Sequence, residues 1–181
     1  MSRLTIPTRD AAPAASQPLL DAVEKSLGVV PNLFRLVGQS PAALEGLLAL
    51  NGALGNALDA KTRERIALAV AQANGCDYCL SAHSYLGLNL AKIDDAEIAR
   101  NRAGHSSDAR ADAALVLATR LLASRGRVTD ADIAAAKLAG FSEAQLIEIV
   151  ALVAVNVFTN YVNNLADTDI DFPVVRAAQA A

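Results

Sequence analysis

Aromatic residues are scarce in this chain of 181 residues: tryptophan is absent, and Phe and Tyr together make up 4% of the sequence. β-Strands favour aromatic and β-branched residues, whereas Ala and Leu, which dominate here, are strong helix formers. No segment alternates between apolar and polar residues in the way that a half-buried strand does. With 53% hydrophobic residues available for a core, the composition predicts an all-α protein of one domain.

Basic stripes and long apolar runs are also lacking. The 16 Lys and Arg residues are scattered among 19 acidic residues, and the net charge is −3, so no nucleic-acid partner is expected. The longest purely apolar run, Ile149–Val155, is far shorter than the ~18 residues of a membrane-spanning helix. The N-terminus lacks the apolar core of a signal peptide. We therefore expect a cytoplasmic protein with no membrane partner.

Prolines separate an N-terminal region from the rest of the chain. Residues 1–18 contain Pro7, Pro13 and Pro18 and are interpreted as an extended arm, followed by a single helical domain over residues 19–181. Helices are predicted at 19–27, 41–54, 60–73, 76–87, 93–101, 108–124, 130–139 and 143–165. The expected N-caps are Ser40, Asp59, Thr129 and Ser142, with Gln145 completing a capping box.

An internal duplication of helical halves is a further hypothesis. Setting Glu64 against Glu148 aligns the apolar segments 66–71 and 150–155, and it places Cys76 and Cys79 opposite Asn160 and Asn163. On this interpretation the second half is a structural copy without thiols. The alternative is two unrelated buried helices of similar composition.

The two cysteines of the chain, Cys76 and Cys79, form a Cys-x-x-Cys motif. In a reducing compartment such a pair is more often catalytic or metal-binding than structural. At positions i and i+3 the two thiols share one face at the start of a helix, where unpaired N–H groups and the helix dipole favour a thiolate. His83, four residues after Cys79, lies on the same face and is suited to accept a thiol proton or to act as a cation beside the sulfur.

Glu64 lies on the preceding helix. If Asn74-Gly75 forms a tight turn, the two helices make an antiparallel hairpin. Glu64 and His83 are then roughly 16 Å and 12 Å from the turn at 1.5 Å per residue, near enough in height for the carboxylate to orient the imidazole and relay its proton.

Each of these residues also has a simpler interpretation. The cysteines are alternatively small buried hydrophobes, Tyr78 a packing residue, His83 a surface histidine and Glu64 a solvated charge. A zinc site is another alternative, with Cys76, Cys79, His83 and Glu64 as ligands, although structural zinc sites usually draw ligands from two separated knuckles.

The combined pattern resembles the signature of the alkylhydroperoxidase D/carboxymuconolactone decarboxylase family, in its peroxidase-related branch. That signature is a Glu, eleven residues, Cys-x-Tyr-Cys, three residues and a His. The resemblance extends to Gly28–Phe34, to Ser40-Pro41 and to Asn160–Pro173, and so to nearly the whole chain. At Tyr78 this chain departs from the best-studied alkylhydroperoxidases, which have a histidine there; a phenol forms hydrogen bonds but is no second base at neutral pH.

The resemblance implies an all-helical fold, a homo-oligomer (trimer or hexamer) and thiol-dependent reduction of hydroperoxides. It assigns Cys79 as the peroxidatic cysteine, Cys76 as the resolving cysteine, and His83 and Glu64 as the proton relay. Tyr78 is a further candidate, as a residue that supports these four. The expected partners are a hydroperoxide and an external dithiol or disulfide reductase, with no cofactor and no metal. The alternative function is a general thiol–disulfide oxidoreductase or redox sensor.

Overall fold

The computed structural model describes residues 2–177, which form helices and connecting segments and no strand. The all-α prediction is confirmed. Within this range the nine helices are α1 Gln17–Leu27, α2 Asn32–Val37, α3 Pro41–Leu54, α4 Ala60–Ala73, α5 Asp77–Asn89, α6 Asp95–Arg102, α7 Ala109–Ser124, α8 Asp130–Leu138 and α9 Glu143–Ala166.

Local side-chain caps determine where most helices begin. Ser40 and Asp59 accept hydrogen bonds from the N–H groups of Ala43 and Thr62, which satisfies backbone donors that the first turn leaves free. Thr129 begins α8 and Ser142 begins α9, each in a complete capping box. The four caps predicted from the sequence are therefore confirmed.

Helix α2 was not predicted, because its N-terminal cap comes from a distant part of the chain. The side chain of Asp171 accepts the N–H of Asn32 at 2.7 Å, and the Asn32 amide donates to the carbonyl of Asp169 at 2.8 Å. The residue before the helix, Pro31, provides no side-chain cap. A helix of 6 residues is marginal alone, so tertiary contacts decide whether this segment is helical.

Helices α4 and α9 form the centre of the fold. Six consecutive residues of α4, from Ile66 to Ala71, are buried, because α4 packs against α5, α6, α7 and α9. Helix α9 also contacts α2, α3, α5 and α7. The 24-residue α9 is long and apolar enough to cross a membrane, but one of its faces packs in the core of the fold.

The opposite face of α9 is exposed and apolar. Ile147, Phe158, Tyr161 and Leu165, which we call the α9 stripe, are 39% to 69% exposed. Their spacing places them along one side of the helix.

Segments at both ends of the described chain pack on the helices. Arg3 donates its N–H to the carbonyl of Ala166, Ala12 is buried, and α1 begins at Gln17. Residues 168–177, which we call the C-terminal strap, cross the start of α5. Val175 and Ser81 exchange two hydrogen bonds there, at 2.9 and 3.2 Å.

The two segments compared in the duplication hypothesis differ in structure beyond their apolar parts. The turn at 74–76 corresponds to residues 158–160, which lie within the uninterrupted helix α9. The same register does bring aligned residues together, because Asn163 contacts Cys79 directly.

Glu97 fixes α6 and the following loop against α4. This buried carboxylate lies 3.4 Å from Arg65 of α4 and accepts hydrogen bonds from Asn101, Ser106 and Ser107. Burial opposes the charge, but the hydrogen bonds from Ser106, Ser107 and Asn101 together lower the pKa of Glu97 to about 2. Since Arg65 neighbours Glu64, these contacts also fix the part of α4 that carries the candidate relay carboxylate.

We expect Glu97→Gln to lower the free energy of unfolding at pH 7 by about 1–3 kcal/mol, because the replacement removes a buried, hydrogen-bonded charge. The folded-state pKa lies below the ordinary value of 4.5, so the stabilisation is complete above pH 4.5 and is lost as the pH falls towards 2. Urea unfolding of both proteins at pH 7 and pH 3 measures this difference. Glu143→Gln, at an exposed ion pair, is the control. If the effect of Glu97→Gln on the free energy of unfolding were independent of pH, the stabilisation could not come from the ionised Glu97 carboxylate.

Candidate active site

The turn between α4 and α5 positions both thiols. Gly75 has φ +60°, a left-handed conformation that a side chain would strain, and Cys76 is the N-cap of α5. Its sulfur accepts the N–H of Cys79 at 3.4 Å. Both cysteines are free and only 0% and 2% exposed. The helix start thus holds two reduced thiols in adjoining positions beneath the surface.

The surroundings separate the two sulfurs in acidity. The pKa of Cys79 falls to about 7, mainly because the Cys76 thiol donates a hydrogen bond to the Cys79 sulfur. Burial opposes this shift. The charge of His83 and the amides of Asn163 and Asn160 lower the pKa further. The pKa of Cys76 rises, because its proton is held by Cys79 and because the thiol is buried beside that charge. A single thiolate, on Cys79, is therefore favoured near neutral pH.

His83 and Glu64 meet as the hairpin prediction requires. His83 Nδ1 lies 2.8 Å from Glu64 Oε2, and the two side chains are 23% and 22% exposed. Burial lowers the pKa of His83, but the charge and the hydrogen bond of Glu64, together with the charge of Cys79, outweigh it and raise that pKa. The imidazole is thus kept as a cation beside the thiolate to higher pH than usual, and the structure brings all four candidate residues together.

Three asparagines of α9 complete the surroundings, and the sequence assigned them no role. Asn163 Nδ2 donates to Cys79 Sγ at 3.3 Å. Asn160 accepts from the Asn74 amide, and Asn164 donates to the Asn74 carbonyl, both at 2.9 Å. These contacts fix the turn that precedes Cys76. The available signal was a group of amides in an apolar helix, where asparagine is unfavourable without a partner.

Tyr78 faces the C-terminal strap and α2. Its hydroxyl accepts the N–H of Leu33 at 3.1 Å and bonds to the Asp171 carboxylate, and burial is the main cause of its raised pKa. The ring packs edge-on against Phe172, with centroids 5.9 Å apart. The Tyr78 hydroxyl is thus committed to contacts that hold the strap over α5.

The candidate zinc ligands do not form a metal-binding arrangement. Within residues 2–177, no three His, Cys, Asp or Glu side chains converge as the ligands of a metal ion would. Glu64 instead pairs with His83, and Cys76 with Cys79.

A cleft of about 440 Å³ opens beside the turn. Its lining includes Gly75 and Tyr78 from the hairpin, Asn163 from α9 and Thr168 from the strap. The ion pair between Asp77 and Arg176, at 2.7 Å, also borders it. The cleft therefore adjoins the thiol pair through Asn163, whose amide contacts Cys79.

Residues 41–120 match the model of the carboxymuconolactone decarboxylase family. A segment of 64 residues is 48% identical to an uncharacterized protein of Haemophilus influenzae, covering 34% of this chain and 51% of that protein. The match therefore spans about half the length of this relative.

Several solved structures share the fold. An uncharacterized peroxidase-related protein of Ralstonia eutropha JMP134, described as an alkylhydroperoxidase AhpD core, is 25% identical with a TM-score of 0.82, over 94% of this chain and 92% of that one. A peroxidase-related protein of Silicibacter sp. TM1040 is 23% identical with a TM-score of 0.79, over 93% and 91%. The debrominase Bmp8 in complex with a tribromopyrrole is 22% identical with a TM-score of 0.77, over 94% of each chain. The last two likenesses show the fold alone, and the first supports the family resemblance.

We expect alkylation of Cys79 by iodoacetamide, followed by peptide mass spectrometry, to increase with pH around a midpoint near 7, the pKa of this thiol. Cys76→Ala should move the midpoint to higher pH, since it removes the hydrogen bond that most stabilises the thiolate. Ser84→Ala is the matched control, because its hydroxyl is buried on the same helix without a hydrogen-bond partner in residues 2–177. An unchanged midpoint in Cys76→Ala would exclude this hydrogen bond as the cause.

Proposed function

We propose, from the premise that the chain belongs to the alkylhydroperoxidase D/carboxymuconolactone decarboxylase family, that it reduces hydroperoxides through the Cys76 and Cys79 thiols. The observation that carries this proposal is the asymmetry of the pair: a thiolate is favoured on Cys79, and a neutral thiol on Cys76 is hydrogen-bonded to it. A thiolate is the nucleophile that attacks the peroxide O–O bond, and a neighbouring thiol is what resolves the product.

The reaction balances over two steps. The Cys79 thiolate attacks the terminal oxygen of the hydroperoxide, so that a sulfenic acid forms and an alkoxide leaves and takes a proton from the His83 cation. Cys76 then attacks the sulfenic acid, which gives a disulfide and water. An external dithiol or disulfide reductase returns the disulfide to two thiols.

The pairing of His83 with Glu64 supports a role in proton transfer. A cation is needed to stabilise the thiolate before attack, and a proton donor is needed when the alkoxide leaves. The carboxylate orients the imidazole and keeps it charged, which suits both needs.

The alternative, exchange with protein disulfides, requires that the attacking sulfur reach a partner's sulfur. Cys79 is only 2% exposed, which favours a small substrate over a protein.

A cytoplasmic location, as expected from the composition, is part of the proposal.

Trapping tests the roles of the two sulfurs. Reduced Cys76→Ser given one equivalent of hydrogen peroxide should accumulate a dimedone adduct on Cys79, because the resolving thiol is missing. Cys79→Ser should give almost none, and His83→Ala should slow adduct formation far more at neutral than at high pH. If Cys79→Ser forms the adduct on Cys76 at the wild-type rate, the roles are reversed; if wild-type protein consumes no peroxide with any dithiol, the proposed function is wrong.

We also propose that the chain forms a homo-oligomer, a trimer or a hexamer, through the α9 stripe. Exposed apolar side chains on one side of a long helix are typical of a surface that is buried between subunits. Light scattering should give a multiple of the monomer mass at micromolar concentration, and Phe158→Glu should reduce it. Leu138→Glu, 91% exposed on α8, is the matched control; a monomeric wild-type protein, or equal effects of both variants, would refute the interface.

A further inference from the structure

Two residues that line the cleft each carry a buried polar atom without a hydrogen-bond partner. Asn163 Oδ1 and Thr168 Oγ1 find none within residues 2–177, and the two residues are 2% and 6% exposed. Both residues line the cleft. Leaving such atoms unpaired costs stability, so a ligand that offers hydrogen-bonding groups would be favoured there.

The chemistry of Asn163 indicates which group it would bind. Its Nδ2 donates to Cys79 Sγ at 3.3 Å, which is the arrangement that a thiolate requires, since a thiolate only accepts. Oδ1 is then left as an acceptor, and it needs a donor. A hydroperoxide carries one O–H donor, on the same oxygen that a thiolate attacks.

We propose that the cleft beside the α4–α5 turn is the substrate site, in which Asn163 Oδ1 accepts the O–H of a small, polar, uncharged hydroperoxide and Thr168 bonds to its remaining polar groups. This inference rests on the proposed peroxidase function and names its substrate class. Asn163 thereby holds the nucleophile through Nδ2 and the electrophilic oxygen through Oδ1, so that one rigid amide aligns both reactants.

The bond changes are those of the reaction above. The Cys79 sulfur bonds to the terminal oxygen, the O–O bond breaks, and the alkoxide is protonated. The hydrogen on the terminal oxygen stays with it throughout, bonded to Asn163 Oδ1, and becomes the hydrogen of the sulfenic acid.

The charges of the lining determine which hydroperoxides are excluded. Asp77 and Asp167 border the cleft, and Arg176 is a cation among its lining residues. Arg176 is already paired with Asp77. An anionic hydroperoxide would thus meet an excess of carboxylates. The apolar side chains of the lining are few, namely Tyr78, Ile170 and Val174, which disfavours long acyl chains.

The first experiment separates substrate binding by Asn163 from its effect on the thiolate. At a pH where Cys79 is fully ionised, the second-order rate constants of Cys79 are measured with tert-butyl hydroperoxide and with methyl methanethiosulfonate, which has no donor. Asn163→Ala should slow the peroxide reaction at least about tenfold, the value of one hydrogen bond, and change the thiosulfonate reaction much less. Equal slowing with both reagents would overturn the inference.

Thr168→Val provides a second variant that does not depend on Asn163. It should raise KM for a hydroperoxide that carries a hydroxyl group, with kcat unchanged, because the Thr168 hydroxyl forms no hydrogen bond with either sulfur. Thr119→Val is the matched control, since its hydroxyl bonds within α7 to the carbonyls of Leu115 and Val116. Equal KM values for Thr168→Val and the wild-type protein would show that Thr168 does not bind the substrate.

The second experiment tests charge. A tertiary hydroperoxide that bears a carboxylate is compared with its methyl ester, and the wild-type protein should reduce the ester at least several-fold faster. Asp167→Asn should narrow this ratio and preserve the backbone, because Asp167 has φ +50° and asparagine tolerates that conformation. Asp130→Asn, which removes the same charge from α8, should leave the ratio unchanged.

The outcomes distinguish the two levels of proposal. If no hydroperoxide is consumed while Cys79 reacts normally with the thiosulfonate, the peroxidase function is wrong. If hydroperoxides are reduced but the carboxylate and the ester react equally in the wild-type protein, the peroxidase function stands and this substrate class is wrong.

Discussion

A thiolate that is buried from water loses its hydration, so hydrogen-bond donors and positive charge within the protein must compensate it. The contacts around Cys79 follow from this requirement. Two of these groups belong to α5, namely the Cys76 thiol at its start and the His83 cation at its middle. The third, the amide of Asn163, belongs to α9. Glu64 then keeps His83 charged from α4. Three helices must therefore be held in fixed relation for one sulfur to be ionised, which explains why the site lies where α4, α5 and α9 meet.

Helix α9 has two functions that normally conflict. It supplies apolar side chains to the core, and it also carries buried asparagines that contact the turn and the thiol. Buried amides without partners would destabilise the helix. Here the Asn160 oxygen accepts from the Asn74 side chain, and the Asn163 N–H group donates to the Cys79 sulfur. The contacts at the site therefore also satisfy buried polar groups of α9.

Much of this arrangement could be predicted from the sequence because its signals are local. Caps such as Ser142, helix periodicity, and the spacing from Cys76 to His83 act within one or two turns. The contact of Glu64 with His83 also followed, because a tight turn at Asn74-Gly75 leaves few ways to pair two helices. By contrast, Asp171 caps α2 from 139 residues away, and Asn163 reaches a sulfur 84 residues away. Such contacts depend on tertiary packing, which no local pattern encodes.

The C-terminal strap also affects the order in which the protein is completed on the ribosome. Val175 and Ala177 bond to Ser81 and Asp77 across 94 and 100 residues, respectively, so α5 is synthesised long before its cover. At 5–20 residues per second, that interval is about 5–20 s. Until α9 and then the strap are synthesised, the start of α5 lacks these covering segments, and the two cysteines are open to oxidation. A nascent chain therefore passes through a thiol-exposed stage that the finished protein does not have.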